Sequence, residues 1–189
     1  AHSNGVRIRQ KPHQPTLLSQ LPPPEAFEPL HASESEFVRL SARFSFALPS
    51  LLQPEEADQM SQRIIDLINT QGWGFWAVEL KATQEFIGFV GLHRQGRESG
   101  IPCTPFVEIG WRLSREFWGK GYATETTLPS LQYGFDVLKL NEIYGMVDAE
   151  HKASRNIMLK AGLTLINPFD FKEQYIFSSE RTIKEGAFK

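Results

Sequence analysis

Gly119-Lys120-Gly121 and the residues around it carry the chemistry that stands out first in this sequence. The two glycines permit backbone conformations that other residues avoid, and the lysine between them brings a positive charge. A helix-like segment opens at Tyr122, directly behind them. The first turn of a helix presents backbone N–H groups with no intrahelical acceptor, and the helix dipole is positive at that end. A glycine loop leading into such a terminus suits an anion, above all a phosphate or pyrophosphate.

Two familiar phosphate loops do not fit. The nucleotide-hydrolase loop has a glycine five residues before Gly-Lys and a Ser or Thr after it. Ser114 and Gly121 stand at those positions here. The dinucleotide fingerprint G-x-G-x-x-G ends on glycine, where this sequence has Thr124. A nucleotide-phosphate enzyme is therefore the disfavoured reading of the loop.

The loop must be held by regular elements, and the strongest precedes it. In Phe106–Leu113, Val107, Ile109, Trp111 and Leu113 alternate with Glu108, Gly110 and Arg112. That period of two, rich in β-branched and aromatic residues, predicts a strand. Upstream, Pro54 with Glu55 and Glu56 behind it suits a helix start. Ala57, Met60, Ile64, Leu67 and Ile68 then recur at helical spacing, with Gly72 as the stop. Residues 73–80 and 85–92 read as two strands, and the short K-A-T-Q link makes them an antiparallel hairpin. Residues 94–104 read as a polar loop. Downstream, Leu128, Leu131, Phe135 and Leu138 form one helical stripe, with Pro129 inside it as a predicted kink. A strand at 143–147, a helix at 153–161 closed by Gly162, and two strands at 163–166 and 174–177 complete the reading.

The N-terminal part is harder to place. Val6–Arg9 reads as a short strand, whereas Pro12, Pro15, Pro22, Pro23, Pro24 and Pro29 exclude a helix interior or a central strand. A short helix is expected over 34–46. We expect residues 1–30 to form an extended or poorly ordered arm with a processed or tag-derived start, and residues 31–189 to form one α/β domain.

Composition fits a soluble globular chain of about one domain: 189 residues, 41% hydrophobic, 22% charged and a net charge of −2. No global basic footprint marks a nucleic-acid partner, and no apolar run approaches a membrane span. The single cysteine, Cys103, lies between two prolines without an evident base and reads as an ordinary loop residue. These features lead us to expect a cytoplasmic protein, monomeric or homodimeric, with no nucleic acid, membrane or metal partner.

Two stretches together carry a family resemblance. V-E-I-G-W-R-L-S-R-E-F-W-G-K-G-Y-A-T-E, followed by H-K-A-S-R-N-I-M-L-K-A-G-L, resembles the GCN5-related N-acetyltransferase (GNAT) superfamily. Within it, the RimJ/RimL-like branch is the most similar, and the likeness runs from about Leu51 to Leu163. It implies a mixed, mostly antiparallel central sheet flanked by helices, in which the strands at 107–113 and 143–147 run parallel and splay apart around acetyl-CoA. It implies that Trp111, Arg112 and Leu113 offer backbone groups to the pantetheine arm. Gly119, Lys120, Gly121, Tyr122, Ala123 and Thr124 would surround the pyrophosphate, and Asn156 would contact the cofactor from the later helix.

The sequence departs from the family pattern at several positions. Glu116 stands where the loop usually begins with Gln or Arg, and His151 stands where Asn is usual. Met158 replaces the Tyr that many members use to reprotonate the leaving thiolate, while the RimL-like branch has a serine matching Ser154 in that role. The branch's N-terminal T-E-R-L-x-L-R strand is not matched.

Transfer of an acetyl group to an amine requires a neutral amine, a polarised thioester and protection of the thiolate. Glu108 is the candidate base, with a structural partnership to an arginine or a backbone group as the alternative. Ser154 is the candidate thiolate partner, with a helix N-cap as the alternative. His93 is a lesser base candidate, and Trp73, Phe75, Trp76 and Phe89 read as core. The expected function is acetyl-CoA-dependent N-acetylation of a primary amine, on a small molecule or a protein N-terminus. The alternative is a catalytically weak CoA-binding module of the same fold.

Overall fold

The computed structural model describes residues 6–10, 27–29, 54–166 and 174–180, and the helix expected over 34–46 lies outside them. The chain contains two compact units, Ala1–Gly91 with Trp111–Pro129, and Leu92–Gly110 with Ser130–Lys189.

In the first unit, helix α1 (Pro54–Gln71) begins at the proline and runs to Gln71, where the Gly72 N–H closes on the Ile68 carbonyl at 2.9 Å. Ile64 and Ile68 are buried on its apolar face, as their spacing predicts. Strand β1 (Val6–Gln10) pairs antiparallel with β3 (Phe75–Leu80), and β3 pairs antiparallel with the start of β4 (Phe86–Gln95). Strand β2 (Phe27–Pro29) lies parallel to β1 at the edge of the strand order. The proline-rich stretch thus contributes a strand where coil was expected. Its place at the edge is what permits it, because an edge strand can end on a residue with no N–H to give.

Two glycines let backbones approach in this unit. Gly91 lies opposite Phe75, and a Cβ there would fall 2.1 Å from the Gly74 carbonyl oxygen and 2.6 Å from the Phe75 Cα. Gly88 follows a bulge in the β3–β4 register and has φ +149°, a value that favours glycine. A Cβ on it would meet the Arg112 carbonyl oxygen at 2.1 Å and the Leu113 Cα at 2.8 Å. The hairpin therefore holds the end of β5 (Phe106–Leu113) at close range. Trp76, Val78 and Phe89 are buried in the core, and the half-buried Phe75 meets Phe89 edge-on at 5.2 Å, while Trp73 is half-buried.

In the second unit the strand order is β4-β5-β6-β8-β7, with β6 (Glu142–Asp148), β7 (Thr164–Leu165) and β8 (Gln174–Glu180). β6–β8 and β7–β8 are antiparallel, while β5 and β6 run parallel with Glu108 opposite Tyr144. β4 continues to Gln95, three residues past the expected end. Helix α2 (Tyr122–Asp136) is continuous through Pro129, which also marks the limit of the first unit. Its buried residues include Thr126, Thr127 and Ser130, and the two threonine hydroxyls bond back to Tyr122 and Ala123 carbonyls at 2.7–3.1 Å. Helix α3 (Lys152–Lys160) ends in the expected glycine cap. Gly162 has φ +87°, its N–H reaches Leu159, and the Leu163 N–H reaches the Met158 carbonyl at 3.0 Å.

The architecture is a mixed α/β fold with a mostly antiparallel sheet. Gly91→Ala tests its tightest contact, because the atoms that a new Cβ would strike are backbone and cannot rotate away. The substitution is expected to cost at least ~1–3 kcal/mol, read as a lower denaturant midpoint.

Candidate functional site

The residues expected around the cofactor, Asn156 excepted, fall in the first unit. At the end of β5, Trp111 and Arg112 are half-buried and Leu113 is buried. The Arg112 guanidinium lies over the Phe89 ring, 5.8 Å from its centroid, and burial lowers its pKa from the ordinary value. The Ser114 N–H donates to the Ile87 carbonyl at 2.9 Å, fixing the strand end to β4. The Trp118 indole N–H donates to the Leu113 carbonyl at 2.7 Å and ties the loop back to the strand.

A short 3-10 turn (Arg115–Phe117) leads from the strand into the loop. Glu116 is exposed and accepts from the Ser114 hydroxyl at 2.9 Å, so this acidic residue braces the turn. The exposed Lys120 ammonium sits 5.2 Å from the Phe117 ring centroid. Gly119 and Gly121 have φ +74° and +86°, the left-handed values that explain why glycine occupies both positions. Nothing lies within 4 Å of where a Gly119 Cβ would stand.

Helix α2 starts at once. Its first backbone bond runs from the Glu125 N–H to the Gly121 carbonyl at 3.0 Å. The N–H groups of Tyr122, Ala123 and Thr124 precede any intrahelical acceptor, and Gly121 has no side chain with which to cap them. An uncapped helix terminus behind two left-handed glycines, with a lysine between them, fits a pyrophosphate.

The candidate base and thiolate partner belong to the second unit. Glu108 is held by two donors. The Gln95 side-chain amide donates to its Oε2 at 2.6 Å, and the Met146 backbone N–H donates to its carboxylate. Burial raises the Glu108 pKa above the ordinary carboxylate value, and these two hydrogen bonds offset part of the rise. No arginine partners it among the described residues. Opposite it, the Tyr144 hydroxyl donates to Glu142 at 2.6 Å, and burial together with that carboxylate pushes the phenol up to about 12. His93 lies within β4 rather than at a loop end. Burial lowers its pKa, and the charge on Glu98 works against that.

Ser154 is not a helix cap, contrary to the alternative reading. The N-cap of α3 is His151, whose Nδ1 accepts the Ser154 backbone N–H at 3.2 Å. The ring nitrogen thus does what an Asn side chain does at this position, which accounts for one departure from the family pattern. The half-buried Ser154 has no hydrogen bond from its hydroxyl among the described residues. Asn156 is exposed two residues on. Met158 is 2% exposed and packs on β6, where a Gly145 Cβ would lie 2.9 Å from its sulfur. Its thioether fills core and has no proton to give.

Three contributors were not singled out in the sequence: Gln95, Met146 and Trp118. Trp118 sits one residue before the glycine loop, where an indole donor can reach a strand end. Gln95 was read as part of a loop, and Met146 acts through its backbone, which leaves no signature in the sequence. Among the described residues, no cluster of three or more His, Cys, Asp or Glu stands ready for a metal ion, and no helix is long and apolar enough to cross a membrane.

The uncharacterized N-acetyltransferase YoaA of Bacillus subtilis is 29% identical over 117 residues, covering 62% of this chain and 63% of that protein. The uncharacterized N-acetyltransferase p20 of Bacillus licheniformis is 32% identical over 119 residues, covering 63% and 60%. The match thus spans less than two thirds of either relative's length. Among solved structures, an acetyltransferase from Agrobacterium tumefaciens superposes with a TM-score of 0.69 at 17% identity, covering 95% of this chain and 93% of that one. The acetyltransferase (GNAT) domain family matches residues 17–164, and the chain belongs to that family.

Proposed function

We propose that this protein is an N-acetyltransferase that uses acetyl-CoA as donor and a primary amine as acceptor. The observation that carries the reading is the order strand end, left-handed glycines, uncapped helix terminus, in a chain of the GNAT family. Further support comes from Glu108, a half-buried residue with a desolvated carboxylate, three residues before Trp111 on the same strand. The RimJ/RimL-like branch is our assignment within the family, on the motifs in β5, its loop and α3.

In this reading the N–H groups of Tyr122, Ala123 and Thr124 hold the pyrophosphate, with Lys120 adding charge. Trp111 and Arg112 offer backbone groups to the pantetheine. Leu113 contributes less than the resemblance implies, because its carbonyl already accepts from Trp118. Asn156, exposed on α3, is assigned to the cofactor as well.

A primary amine is cationic at neutral pH and must lose a proton before it can attack. Glu108 takes that proton, directly or through a water molecule. Its raised pKa suits the task, since a carboxylate nearer neutrality is a stronger base than an ordinary one. The amine nitrogen bonds to the acetyl carbon and releases its second proton to solvent, the carbon–sulfur bond breaks to leave the neutral amide, and the thiolate takes a proton from the Ser154 hydroxyl, which recovers one from solvent. The buried Met158 cannot serve there.

Two experiments test the reading. Gly121→Glu places a side chain and a negative charge at a left-handed position beside the helix terminus. It is expected to abolish CoA binding in isothermal titration, and an unchanged affinity refutes the phosphate assignment. Glu108→Gln should lower kcat by about 10²-fold or more, with CoA still bound. In the wild type, kcat/KM should fall as pH drops through a midpoint above the ordinary carboxylate range, because the base works only when ionised. Thiol release with a panel of amines measures this. CoA binding without thiol release from any amine would instead favour the binding module.

A further inference from the structure

We propose that Gln95 is a positioning residue for Glu108: its side-chain amide reaches from the end of β4 to β5 and holds the carboxylate in its ionised, proton-accepting form. The proposal rests on the reading of Glu108 as the base. It adds a residue that neither the family motifs nor the sequence pattern marks.

The geometry is specific. Gln95 Nε2 donates to Glu108 Oε2 at 2.6 Å, a direct side-chain hydrogen bond between the two strands. The two residues are 13 apart in sequence, so only the β4–β5 pairing brings them together. That pairing reaches Gln95 because β4 continues through His93 and Arg94. A buried carboxylate without donors would hold its proton, since burial penalises the charged form. Here the second donor is the Met146 backbone N–H, which no side-chain substitution removes. Gln95 is therefore the adjustable half of the pair.

The charged and titratable groups on adjoining strands do not take over this role. On β4, strand alternation puts His93 on the face of Gln95 and Arg94 on the other. The His93 charge couples to Glu98. On β6, Tyr144 stands opposite Glu108, with its hydroxyl committed to Glu142, and Asp148 accepts from the Glu150 N–H at the strand end. Burial and two hydrogen bonds act on Glu108, and no charged neighbour is among the causes.

Loss of a donor that favours the ionised form raises the carboxyl midpoint, and a second carboxylate in the donor's place raises it further. The expected order is wild type, then Gln95→Met, then Gln95→Glu, from lowest midpoint to highest. Carbon-13 NMR of labelled glutamate side chains reads it without any turnover, with Glu108→Gln identifying the resonance. The acidic limb of kcat/KM should move up in the same order. In Gln95→Met, kcat/KM at a fixed pH on that limb should fall by about 3- to 10-fold. The plateau at high pH and the KM for acetyl-CoA should change little, which a general loosening of the fold would not reproduce. A Gln95→Met midpoint at or below the wild-type value overturns the proposal while leaving Glu108 as base. A midpoint that moves without the rate limb overturns the base assignment, and the proposal with it. If Gln95→Met does not fold, Gln95→Glu decides the same question by the same two readouts.

Discussion

A buried carboxylate between two parallel strands is the constraint on which the second unit turns. Glu108 lies opposite Tyr144 at the recorded register of β5 and β6, and the Met146 N–H donates to its side chain. Burial raises its pKa, and the two hydrogen bonds lower it. The Gln95 amide and the Met146 amide both donate to it, and no charged group is among the causes acting on its pKa.

The first unit is governed by a different constraint, the close approach of backbones. Gly88 lets the Arg112 carbonyl and the Leu113 Cα come within a distance that no Cβ would tolerate, and the Ser114 N–H then bonds to Ile87. From that fixed strand end the Trp118 indole reaches back to Leu113, Ser114 braces Glu116, and the glycine loop leads into α2. Each link positions the next. The path of the chain into α2 thus depends on glycines in two places: two in the loop, which turn the chain, and one in β4, which lets the strand in.

Much of this order was legible in the sequence, and what was missed has identifiable causes. β5 was read with its observed limits because alternation and the glycines behind it give an unambiguous pattern. α1 was marked by Pro54 at its start, and the end of α3 by Gly162. β4 was cut short at Leu92 because His93-Arg94-Gln95 is polar throughout, and polarity alone does not separate a strand end from a loop. That error concealed Gln95. β2 was hidden among prolines, since its edge position depends on a partner strand that the local sequence does not reveal. His151 was noted as a departure but not as a cap, because a ring nitrogen as acceptor for an N3 amide is not part of the usual capping vocabulary.

The two departures on α3 have opposite consequences. His151 substitutes for the usual Asn and preserves its structural task, accepting the Ser154 N–H at the helix start. Met158 substitutes for the usual Tyr and turns the position into core, packed against Gly145 on β6. The Ser154 hydroxyl itself makes no hydrogen bond among the described residues. The replacement of Asn by His at the cap and the loss of Tyr to the core are thus compatible with one chemistry, in which the proton that the thiolate needs comes from Ser154 and the amine's proton goes to Glu108.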